Sequence, residues 1–98
     1  METRAKSNSI FGNGKMLDVV LVLDAEAPIH ALGIGKHLPA PSGVTPVLRR
    51  LTEAGLIREV PGSHDFGAKY FEPIDPGDAT WVALVQLCKA LKERRTLF

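Results

Sequence analysis

Met16, Leu17 and Val19 to Leu23 form the most continuous apolar stretch of the chain, preceded by Asn13 and Gly14 and followed by Asp24 and Glu26. Asn and Gly are start signals and the length of the run predicts a helix, although its three valines also suit a strand. Such a helix has almost no wet face in its second half, which predicts a partner chain over the excess. Pro28 opens a shorter segment with Leu32, Ile34 and Leu38 inward, where Gly33 and Gly35 would let another helix approach. After Pro39 and Pro41, Val44, Leu48 and Leu51 recur at four and three residues and end at Ala54 and Gly55, a helix with a stop signal. Leu56 to Val60 and Tyr70 to Ile74 read as two strands of a long-looped hairpin. Asp75, Pro76 and Asp78 then start a last helix whose one face carries Trp81, Leu84, Val85, Cys88 and Leu91.

Three helices, a hairpin and a fourth helix, with no internal repeat, is the order of a winged helix-turn-helix: mostly α, with a two-stranded β wing and a C-terminal dimerisation helix. The expected division is a loose arm over residues 1–9, a DNA-binding domain over 10–74 and the dimerisation helix over 75–98. With 98 residues, 45% of them apolar and 23% charged, the chain suits one globular domain and not a disordered tail. Its 12 Lys and Arg against 11 Asp and Glu exclude coating of nucleic acid by bulk charge, so DNA binding requires a local patch. The longest apolar run is far too short for a membrane span, and the lone Cys88 points to a reduced, cytoplasmic protein.

That patch exists. Between Ala27 and Thr52 there is no Asp or Glu, yet Lys36, Arg49, Arg50, His30 and His37 lie there. Ser42, Gly43 and Thr45, small or polar at the start of the second helix of the helix-turn-helix, suit entry into the roughly 12 Å wide major groove. Lys36, Arg49, Arg50 and wing Lys69 would hold phosphates while Ser42, Thr45 and one arginine read bases; the plainer alternative makes the arginines solvated helix charges. For His30 and His37 a capping or surface role is at least as good a reading as a phosphate contact, and Arg4 and Lys6 of the arm could touch a phosphate. Pro46 inside a helix would cost about 3 kcal/mol at its middle and less near its first turns.

From Pro28 to Gly77 the chain resembles the PadR family of bacterial transcription regulators. Pro28-Ile29-His30-Ala31-Leu32-Gly33-Ile34 is similar to the family's Pro-x-His-Gly-Tyr-x-Ile, and Val44-Thr45-Pro46-Val47-Leu48-Arg49-Arg50-Leu51 to its Val/Leu-Tyr-Pro-x-Leu-x-x-Leu. Gly55-Leu56 and Lys69-Tyr70-Phe71 ahead of Gly77 follow in the family's order, while Ala31-Leu32 and Thr45 depart from its tyrosine-bearing pattern. The resemblance implies a repressor that binds a palindromic operator in double-stranded DNA as a homodimer. Pro46 would belong to its DNA-facing helix, and Val20, Leu84, Leu87 and Leu91 to the dimer interface. It also implies a planar aromatic effector stacked near Trp81 and Val85, against which ordinary core or dimer packing of Trp81 is the stronger reading. Cys88 on the same face reads as a small buried hydrophobe and not an oxidation sensor.

Catalysis is not expected. Gly12-Asn13-Gly14-Lys15 and Gly33-Ile34-Gly35-Lys36 lack the spacing and the Ser or Thr of a phosphate loop, and no nucleophile elbow or paired carboxylates occur. The three histidines share no metal-ligand spacing, so neither metal nor other cofactor is called for. The rival to a DNA regulator is a winged helix serving as a protein-interaction or assembly module, which near-neutral charge would suit.

Overall fold

The computed structural model describes residues 10–38, 43–61 and 68–93. Residues 1–9, expected as an arm, Ser42, residues 62–67 with His64, and Arg94 and Arg95 lie outside the described residues.

Helix α1, Met16–Glu26, follows a turn in which Asn13 Oδ1 accepts the Lys15 N–H at 2.8 Å. Leu17, Val19, Val20 and Leu23 are completely buried. The missing wet face therefore has a cause inside the chain: α1 is the central element, packed by the last helix, by the third helix and by the sheet. The surplus that pointed to a partner is mostly absorbed by the chain's own core, and Val20 in particular has no surface to offer a second subunit. At its end Ala27 turns to an extended conformation and Pro28, joined to it by a cis peptide, follows.

Pro28 to His30 were expected within a helix. Ile29–His30 instead form strand β1, and helix α2, Ala31–Gly35, begins only after it. The β-branched Ile29 beside a proline suits extended backbone. Strand β3, Tyr70–Pro73, supplies antiparallel partners by pairing Ile29 with Phe71 and His30 with Tyr70. Gly33 permits a close approach, though not by another helix. A Cβ there would stand 2.9 Å from His30 Cε1 and 3.0 Å from Ile29 Cγ1, so β1 folds back tightly over α2.

Helix α3, Val44–Glu53, is the strongly amphipathic helix that the four-and-three spacing predicted, with Val44, Val47, Leu48 and Leu51 buried. Gly43 precedes it at φ +85, in the left-handed region. Pro46 is its third residue, where a backbone N–H would have no partner within the helix, so the proline forfeits no hydrogen bond. The helix closes with Gly55 at φ +77, its N–H bonded to Thr52 O at 3.0 Å and the Leu56 N–H to Leu51 O at 3.1 Å. This pair of bonds is a Schellman end.

Strand β2, Ile57–Glu59, pairs with β3 through Ile57–Pro73, Arg58–Glu72 and Glu59–Phe71, giving a three-stranded antiparallel sheet in the order β1-β3-β2. Helix α4, Ala79–Glu93, is capped by Asp78, whose Oδ2 accepts the N–H groups of Thr80 at 3.0 Å and Trp81 at 3.2 Å. Trp81, Val85 and Cys88 face inward, and Lys89–Asp24 at 3.7 Å and Lys92–Asp18 at 3.9 Å tie α4 to α1. Among the described residues the fold is thus four helices around a small antiparallel sheet, and no helix is long and apolar enough to cross a membrane.

Candidate nucleic-acid interface

Burial of Val44, Val47, Leu48 and Leu51 turns the other side of α3 outward, leaving Thr45, Pro46, Arg49, Arg50, Thr52 and Glu53 exposed. Thr45, Arg49 and Glu53 are spaced by four residues and share one helical stripe. This stripe forms one wall of an open groove of about 650 Å³ that is closed on its other sides by β1, the start of α2 and the end of the β2–β3 hairpin. His30, Thr45, Arg49 and Lys69, separated by up to about forty residues of chain, are brought together there.

The remaining expected DNA-facing residues are placed less tightly. Lys36 is exposed just after α2 and Arg50 beside Arg49 on α3, but neither lines the groove. His37 belongs to another depression, with Asp18, Glu26 and Lys92. Gly43 is exposed at the head of α3, where a Cβ would lie 3.3 Å from Lys15 Cε. Lys15, which lies outside the acid-free stretch, thereby adds a cation next to the start of α3, and no spacing rule links these positions.

Charge in the groove is mixed. Arg49 makes no ion pair among the described residues. Lys69 Nζ lies 3.9 Å from Glu59 Oε1, an exposed pair of the kind that contributes little and yields readily to a competing anion. Arg58 of β2 is held by Glu72 of β3 through Nε at 3.0 Å and Nη2 at 2.8 Å, so the sheet's own arginine is spoken for. Glu53 puts a carboxylate at the far end of the stripe, one residue beyond the acid-free stretch. His30 stacks on Tyr70 with ring centroids 5.0 Å apart, and its Nδ1 is buried without a hydrogen-bond partner among the described residues. That packing favours a structural role for the ring.

The effector site expected around Trp81 and Val85 takes a different form. Both side chains belong to the core, Trp81 at 1% exposure, and the cavity that Trp81 lines with Asp75 and Asp78 is about 110 Å³, too small for a planar aromatic ligand. Trp81 is the largest of the fully buried side chains among the described residues. Of the expected dimer residues, Leu84 and Leu91 are half-buried and Leu87 is exposed, whereas Val20 is enclosed. Burial raises the Cys88 thiol to about 11 from 9.0, with the Asp18 carboxylate adding to the effect, so it stays protonated.

Compared with known protein families, with curated proteins and with solved structures, the chain matches no family model, no curated protein and no solved structure.

Proposed function

We infer that this chain is a winged helix-turn-helix regulator of PadR type that binds double-stranded DNA, α3 entering the major groove and the β2–β3 hairpin acting as the wing. The observation that carries this reading is the outward stripe of α3, where Thr45 and Arg49, which has no ion pair among the described residues, face the same groove as Lys69 of the hairpin. The element order and the sheet order β1-β3-β2 are compatible with a winged helix and support the reading, β1 being the short strand that would join the wing to the helical part. Thr45 reads base edges, Arg49 takes a base or a phosphate, and Lys36, Arg50 and Lys69 fix the register on phosphates.

Four cations per subunit, each adding about 0.9 to the salt slope, give weak binding by one subunit. Two-fold binding to a palindromic operator by a homodimer doubles the term, and steric occlusion of a promoter then makes the protein a repressor. Fluorescence anisotropy with duplex fragments of the source genome tests the reading. Affinity falls steeply with salt, and Arg49→Ala weakens binding by about 1–3 kcal/mol while lowering the slope by about 1 per subunit.

A protein-interaction module is the second reading, favoured by Leu32 at 67% exposure beside the stripe and by Glu53 within it. Binding that is absent for every fragment, or indifferent to salt, would decide for it.

A further inference from the structure

DNA binding uses the polar rim of the α3 groove and leaves its interior unexplained. At about 650 Å³ the groove falls within the roughly 300–1,000 Å³ that small organic ligands occupy. Leu48 and Phe71 line it, and Leu32 projects from the first turn of α2 as the most exposed large hydrophobic among the described residues, at 67%. A sugar-phosphate backbone meets the rim cations but gains nothing from this apolar surface, which is left in water unless something apolar covers it. Among the described residues the charged lining is Arg49, Lys69 and Glu53, two cations against one carboxylate. Lys69 is already shared with Glu59, so Arg49 is the available anchor, and Glu53 one helical turn away disfavours a second anionic group on the ligand.

We propose that this groove binds a small amphipathic monoanion, an aromatic or aliphatic body bearing one carboxylate or sulfonate. The body covers Leu32, Leu48 and Phe71, and the acid group pairs with Arg49. Because Thr45 and Arg49 belong to the same groove, a bound ligand and a DNA duplex exclude one another, and the ligand acts as an inducer by direct competition. The ligand site stands on the groove's own lining; the inducer role rests on the DNA-binding reading.

Anilinonaphthalene sulfonate, an aryl body with a single anionic group whose fluorescence rises on leaving water, is the probe. Saturable binding at one site per chain is expected, weakened about tenfold or more by Leu32→Asp and by Arg49→Gln, both at exposed positions. Ile74→Asp, at a 50% exposed apolar residue outside the groove, leaves it unchanged. Circular dichroism of each variant establishes that it is folded. Probe binding that survives both groove variants, or does not saturate, overturns the site. The two readings separate in the anisotropy assay. If duplex binds and the probe does not displace it, competition fails while DNA binding stands. If no duplex binds and the probe still depends on Leu32 and Arg49, the ligand site stands without the DNA-binding reading.

Discussion

Cys88 is completely buried on α4, and its thiol is raised to about 11 by desolvation first and by the Asp18 carboxylate second. A thiol that the fold keeps protonated contributes stability that is complete below its unfolded value of 9.0 and is lost as the pH rises through about 11. It is also a poor nucleophile. Alkylation by iodoacetamide at pH 8 should run on the order of 100-fold slower in the folded protein than in denaturant from ionisation alone, and equal rates would place the thiol at the surface. Gly33 illustrates the opposite constraint. What matters there is the space a side chain would take from His30 and Ile29, so the short helix α2 tolerates glycine for the sake of the strand before it.

At the level of elements, the caps set where helices begin and stop. Asp78 holds two N–H groups at the start of α4, so Asp78→Ala should cost about 1 kcal/mol in urea denaturation, while Asp78→Asn, which keeps the acceptor, costs less. Helices α3 and α4 were legible in the sequence because their signals are local: Leu48 and Leu51 mark the face of one, Gly55 its end, and Asp78 the start of the other. Strand β1 was not legible, because two residues carry no periodicity and their partner lies far along the chain. The candidate site divides in the same way. Thr45 and Arg49 could be read from α3 alone, and Lys69 from its place in the hairpin. Leu32, Phe71 and the approach of Lys15 to Gly43 depend on how α2, the sheet and the segment before α1 are brought around α3. Trp81 and Val20 were assigned in part to surfaces because an apolar side chain looks the same in a core and in an interface until its neighbours are known.

For the molecule as a whole, the remaining apolar surface decides assembly. With Val20 and Trp81 enclosed, Val82 at 37% and Leu87 at 43% exposure, beside the half-buried Leu84 and Leu91, are the apolar part of α4 that a second subunit would cover. Light scattering at micromolar concentration should report a dimer of the 10.6 kDa chain, converted to monomer by Leu87→Asp; a monomeric parent protein would refute this. The strand order has a kinetic consequence. Ile29 and Phe71 pair across roughly forty residues, whereas α3, α4 and the β2–β3 hairpin close over much shorter spans. Two residue pairs repay little of the entropy of so long a loop, so β1 should join after the hairpin has formed and part from β3 before the hairpin unfolds. The strand linking the helices to the hairpin should arrive after the hairpin and fray before it.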